Sequence, residues 1–103
     1  MPEKGFYYHY KHDPNGAFNN YAYEVMGTAR HTELQNPEID KFVIYRPLRE
    51  SAFYEDGKYW GARPLDMFTE SIEKDGVVVP RFRKITDPEI IEKLEKVRDE
   101  MYK

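Results

Sequence analysis

His31 and Glu33 stand two residues apart in the run Arg30-His31-Thr32-Glu33. On an extended strand that spacing puts both side chains on one face. A carboxylate beside the ring would favour the imidazolium and orient it, so the pair could act as general base plus orienter. The same pair could be a strand-end ion pair or a hydrogen bond that pins the following loop. No nucleophile or oxyanion motif accompanies it, which favours the structural reading. Arg30, Arg46 and Arg63 each fall near the end of a predicted strand. If those ends converge, the three guanidiniums form an anion site for carboxylate or phosphate. The alternative is separate pairs with Glu24, Glu33, Asp66 or Glu70, since surface pairs are common. Arg30 and His31 point to opposite faces of a regular strand, so both can join one site only across a bulge.

Aromatic residues are the second resource. Tyr7, Tyr8, Tyr10, Tyr45, Tyr54, Tyr59 and Trp60 could stack on bases or hold a proline-rich or methylated ligand. They could equally pack across strands and at the rim of a core. Trp60 is the expected inward anchor, and Tyr7 and Tyr59 are expected to be exposed. His9 and His12, the other histidines, have a spacing poorly suited to metal. No metal and no cofactor is expected.

The elements that must position these residues read as short strands. Gly5–Lys11 is aromatic and β-prone, with Phe6, Tyr8 and Tyr10 on an inward face and Tyr7, His9 and Lys11 opposite. Asp13-Pro14-Asn15-Gly16 is a turn. Tyr21–Glu33 is a long strand, with Gly27 marking a bulge or sharp bend. Later runs around Val43, Trp60 and Val78 are its expected sheet partners. Leu34–Asp40 is a loop, and Lys41–Leu48 is a central strand stopped by Pro47. Asp56-Gly57 signals a hairpin that returns along Lys58–Arg63. Pro64–Phe68 is one helical turn, with Leu65 and Phe68 covering the open end of the core. Asp75-Gly76 turns a second hairpin between Thr69–Lys74 and Val77–Ile85. Thr86-Asp87-Pro88-Glu89 starts a helix over 87–102. Its stripe Ile90, Leu94, Val97 and Met101 must bury against the sheet or against a second copy.

Composition narrows the class. The chain has 103 residues, 40% of them hydrophobic and 16% aromatic, enough for one domain with a core. Its net charge is −3, with basic and acidic residues interleaved, which argues against non-specific nucleic-acid binding but leaves room for a local basic patch. There is no cysteine, so disulfides, thiolate catalysis and Cys-ligated metal are excluded and a reducing compartment fits. The first residues lack the apolar run of a signal peptide, and no stretch approaches the roughly 20 apolar residues of a membrane span. A cytoplasmic protein without membrane contact is expected.

Several motifs together resemble a bacterial family, domain-of-unknown-function family 1653. They are Tyr8-His9-Tyr10-Lys11, Tyr23-Glu24-Val25, Ala29–Glu33, Val43–Leu48, Arg63–Phe68, and Asp75-Gly76 followed by Val79-Pro80-Arg81-Phe82. The resemblance spans roughly Gly5–Ile85. It implies an SH3-type barrel and no established activity or ligand, so it transfers no catalytic role. The Asp13–Asn20 loop, the Leu34–Asp40 loop and the helix after Thr86 depart from the shorter family pattern.

The expectation is therefore mainly β: an SH3-like barrel or roll of about five antiparallel strands over 1–86, with a helix over 87–103 packed on it or on a partner. The expected function is a non-catalytic binding module. Its aromatic and arginine face would comprise Tyr10, Arg30, His31, Tyr45, Arg46 and Arg63, and its ligand would be an anionic, peptide or nucleotide-type one, with a protein or peptide partner ahead of nucleotide or RNA. The alternatives are a homodimerising assembly domain that uses the helix, and a small enzyme that uses His31 and Glu33.

Overall fold

Nine elements carry the described residues 2–33, 41–49 and 59–103 of the computed structural model. In chain order they are β1 (Gly5–His9), β2 (Ala22–Arg30), β3 (Lys41–Pro47), β4 (Gly61–Pro64), α1 (Leu65–Thr69), β5 (Ser71–Lys74), β6 (Val77–Pro80), β7 (Phe82–Lys84) and α2 (Pro88–Met101). A five-stranded antiparallel sheet has the order β4-β3-β2-β1-β7, and β5 and β6 form a separate two-stranded ribbon.

The strand β2 serves both halves of the main sheet. It pairs with β1 from Ala22 to Val25 and with β3 from Tyr23 to Arg30, and its register against β3 shifts between Val25 and Gly27. Gly27 takes φ +150, a conformation that side chains rarely adopt, so the residue type marks the bulge. The runs around Trp60 and Val78 do not pair with β2. The strand after Trp60 pairs with β3, and Val78 pairs with Glu73 inside the ribbon.

Both faces of the sheet are covered, so both alternating sets of β1 are buried. On one face Phe6 and Tyr8 pack with Ala22, Leu48, Ile85 and Leu94 under α2. On the other, Tyr7 packs with Val25, Val43, Phe82 and Phe68 of α1. Tyr7 is thus 7% exposed, not a surface ring, and Tyr10, past the end of β1, is only half-buried. Trp60 is 55% exposed and is not the inward anchor. The α1-side core is anchored by a parallel Phe68–Phe82 stack with centroids 4.2 Å apart, and the Trp60 ring lies 5.6 Å from the Arg46 guanidinium. Arg63 on β4 reaches the ring of Phe82 on β7, 5.5 Å away. The two outer strands of the sheet therefore approach each other around this stack, and the sheet is curled.

Local signals fix the ends of the elements. Asp75 (φ 53) and Gly76 (φ 79) supply the two positive φ angles of a tight hairpin turn. The Val77–Ile85 run is broken after Pro80: β6 completes the ribbon, and β7 joins β1. Pro64 closes β4, and the helical turn begins at Leu65. The Asp87 side chain accepts from the Glu89 N–H and caps α2, and Pro88 follows at its first turn. The stripe Ile90, Leu94 and Val97 faces this chain's own sheet, joined by Ile91 and Tyr102. The expected Asp56-Gly57 hairpin, the Leu34–Asp40 loop and Tyr54 lie outside the described residues. Among the described residues no helix is long and apolar enough to cross a membrane.

Candidate functional site

Strand register separates the three arginines that the sequence suggested together. Arg46 opposes Glu24, whereas Arg63 opposes Val43, three positions and hence an odd number from Arg46 on β3. Arg46 therefore lies on the α2 face and Arg63 on the α1 face. The Arg46 guanidinium is held there by the Glu24 carboxylate at 2.8 Å and by the Tyr102 ring at 4.1 Å. Arg30 is exposed and pairs in register with Lys41 at the far end of β2. His31 lies just beyond that strand, 5.9 Å from the Phe42 ring, and its Nδ1 accepts the Glu33 backbone N–H at 3.1 Å. That contact ties the ring to the backbone of Glu33. Tyr45 packs in the α1-side core against Tyr23 and Phe82.

What the fold does bring together lies at the end of β1, around His9 and Tyr10. Lys74 comes from β5, Arg81 from the link between β6 and β7, and Arg83 from β7, opposite Tyr8 in register, while Arg63 of β4 reaches His9 from the other face of the sheet. The ribbon is tied down at this point. Tyr10 donates its N–H to the Arg81 carbonyl at 2.8 Å, Arg81 donates its N–H to the Glu70 carbonyl at 3.0 Å, and Lys74 Nζ donates to the Tyr10 carbonyl at 2.9 Å. Arg81 also pairs with the Glu70 carboxylate.

His9 sits inside a ring cluster, 4.4 Å from Tyr10, 5.1 Å from Phe82 and 5.7 Å from Tyr21. Burial, then the charges of Arg63, Arg81 and Lys11, pull its pKa down to about 4. Its Nδ1 accepts the Lys11 backbone N–H at 3.2 Å, which also requires an unprotonated nitrogen there. His9 is thus neutral at pH 7. Burial also raises the pKa of Tyr23, whose hydroxyl lies near Tyr45, Arg49, Tyr21 and Arg63. The Nε–H groups of Arg63 and Arg81 are buried with no acceptor among the described residues. A buried orphan donor costs about 1–3 kcal/mol. Stacking against Phe82 at 5.5 Å and Tyr10 at 5.9 Å offsets part of that and holds the two guanidiniums in place.

Beside Tyr10 a cleft of about 210 Å³ opens, walled by Tyr8, His9, Tyr10, His12, Lys74 and Arg83, with Val79 and Pro80 as its apolar part. No carboxylate lines it among the described residues. His12 stacks on Tyr8 with centroids 3.5 Å apart and planes 14° from parallel. Its Nδ1 lies 2.7 Å from the Asn20 carbonyl. A carbonyl only accepts, so Nδ1 carries the proton and Nε2 keeps its lone pair in the neutral ring.

Of the residues singled out from sequence, Tyr10 lines the cleft and Arg63 reaches His9 from the opposite face; Arg30, His31 and Arg46 lie elsewhere. Lys74, Arg81 and Arg83 were missed. The signal available was the basic run Arg81-Phe82-Arg83-Lys84 next to Val79-Pro80, at the place where the second hairpin must leave its own sheet.

Neither the curated proteins nor the solved structures give a match to this chain. A family profile, described as protein of unknown function (DUF1653), matches residues 5–84, and that stretch holds every wall residue of the cleft and both buried arginine donors. With most of its length matched, the chain belongs to the DUF1653 family.

Proposed function

We propose that this protein is a non-catalytic binding module that takes an anionic ligand at the arginine and aromatic face around His9 and Tyr10. The observation that carries the reading is the placing of Lys74 and Arg83 on the cleft beside Tyr10, with no carboxylate on its wall among the described residues and with Arg81 over the Tyr10 ring, in a chain of net charge −3. Like charges gathered on one surface repel. Glu70, paired with Arg81, offsets only part of that repulsion. A bound anion relieves the remainder, which is a direct source of affinity. The lack of cysteine supports a cytoplasmic setting for such a module.

An assembly domain joined through α2 is the weaker reading, because Ile90, Leu94 and Val97 face the chain's own sheet. The test is a thermal-shift screen of the purified chain against nucleotides, sugar phosphates, short RNAs and acidic peptides. A ligand at a hundred times its dissociation constant adds about 2.7 kcal/mol, several degrees for a domain of this size. A shift that Arg83→Ala or Lys74→Ala removes supports the reading. A shift that survives both substitutions places the ligand elsewhere and overturns it.

A further inference from the structure

The walls of the cleft beside Tyr10 restrict which anion fits, an inference that rests on the binding reading above. We propose that the cleft takes a mononucleotide, its phosphate against Lys74 and Arg83 and its base against the rings of His12 and Tyr10. Three features point this way. The first is size. A volume of about 210 Å³ is below the roughly 300–1,000 Å³ of a pocket that engulfs a drug-sized ligand. The cleft therefore holds a small ligand, or one end of it, and leaves the remainder on the surface.

The second is the pairing of charge with flat walls. Lys74 and Arg83 supply fixed positive charge with no carboxylate on the wall to neutralise it. A simple carboxylate or phosphate would use those charges and leave the rings idle. A nucleotide uses both, since every base has a face to stack. The His12 Nε2 lone pair adds an acceptor for an exocyclic amino group.

The third is preorganisation. The His12 plane is set by the Tyr8 ring beneath it and by the Asn20 carbonyl at 2.7 Å. Tyr8 is anchored in turn by its hydroxyl, which donates to the Phe18 carbonyl at 2.6 Å. Lys74 is tethered to the Tyr10 carbonyl. Little side-chain freedom remains to be lost on binding. A long polyanion is disfavoured, because the basic patch is local and the chain as a whole carries −3.

Isothermal titration of the whole chain with AMP, GMP, CMP, UMP, adenosine, inorganic phosphate and a short oligoribonucleotide tests this. At least one mononucleotide is expected to bind at submillimolar concentration, roughly tenfold or more tighter than phosphate or adenosine. Arg83→Ala and Lys74→Ala, both at exposed positions, each weaken it by roughly tenfold or more, and Lys96→Ala on the outside of α2 leaves it unchanged. An NMR titration of the unmodified chain follows the His12 ring resonances, which shift if the base lies there. Phosphate binding as tightly as every nucleotide overturns the nucleotide assignment while the anion reading stands. Oligoribonucleotide binding far tighter than any mononucleotide also overturns it. Adenosine binding as tightly as AMP, or no binding of any anion at millimolar concentration, overturns both.

Discussion

Glu24 on β2 and Arg98 on α2 are 74 positions apart in the chain and meet at 3.1 Å. The other oxygen of the same carboxylate takes Arg46 of β3, through Nε at 2.9 Å and Nη2 at 2.8 Å. One acid therefore ties the middle of the sheet to the terminal helix. Tyr102 closes the arrangement: its ring lies over Arg46, and its hydroxyl donates to the Pro47 carbonyl at 2.6 Å.

This relationship makes Arg46 a residue of the fold. Glu24 and Arg46 are each 13% exposed, so removing the carboxylate leaves two guanidiniums with little water to replace it. Glu24→Ala is expected to destabilise the protein by about 2–3 kcal/mol, less than a fully buried pair would lose because solvent reaches the edge of the cluster. Arg46→Ala should lower stability as well, without altering ligand binding at the cleft. Urea unfolding measures the first effect, and titration of the Arg46 variant checks the second.

The terminal helix is part of the core, not an appendage. Leu94 is fully buried among Phe6, Tyr8, Leu48 and Ile85. Leu94→Ala should cost about 2–5 kcal/mol in an unfolding titration. A chain cut after Thr86 would expose that apolar face, and we expect residues 1–86 alone to show no cooperative thermal transition by circular dichroism.

His9 makes stability depend on pH in a defined window. Its pKa is 6.5 in the unfolded chain and about 4 in the fold. Between those values the unfolded chain binds the extra proton, so stability falls as the pH is lowered from 6.5 towards 4 and this contribution levels off below. His9→Phe, which keeps a ring against Phe82, should flatten that part of a melting-temperature profile. An imidazole resonance of His9 titrating near 6.5 in the folded protein would contradict the burial argument.

Gly27 is where the long strand bends. A Cβ there would meet only the end of the Lys4 side chain, at 3.8 Å, so space is not the obstacle. The obstacle is φ +150, which an L-residue adopts only under strain. Gly27→Ala should therefore cost about 1 kcal/mol or more in chemical unfolding, whereas a loss close to zero would mean that the bulge relaxes.

Some of this architecture was legible in the residues because it is decided within a few positions of the chain. Asp75-Gly76 carries the two left-handed conformations its turn requires, Asp87-Pro88 starts a helix, and Gly27 sits at a register shift. The stripe Ile90, Leu94 and Val97 is equally readable, but its periodicity says only that something covers it. The faces of β1 were not readable. Alternation gave two sets of side chains, and both proved to be inside, because α1 and α2 cover opposite sides of one sheet. Trp60 was not readable as a surface ring either: it lies just before β4, 55% exposed beside the Arg46 guanidinium.

The candidate site divides along the same line. Sequence by itself determined the pieces: the residue types, the turns and caps, the bend at Gly27, and a chain with no cysteine chemistry. Tertiary structure decided which pieces meet. Arg46 and Arg63 looked alike as strand-end cations, yet pairing opposite Glu24 and opposite Val43 sends them to different faces. Arg81, Lys74 and Arg83 gather beside Tyr10 only because the run after Asp75-Gly76 breaks at Pro80 and enters two sheets. Turns and caps depend on local backbone torsions and neighbouring hydrogen bonds, which a short stretch of residues specifies. Convergence of charges depends on register and sheet curl, which are set by the packing of the whole chain.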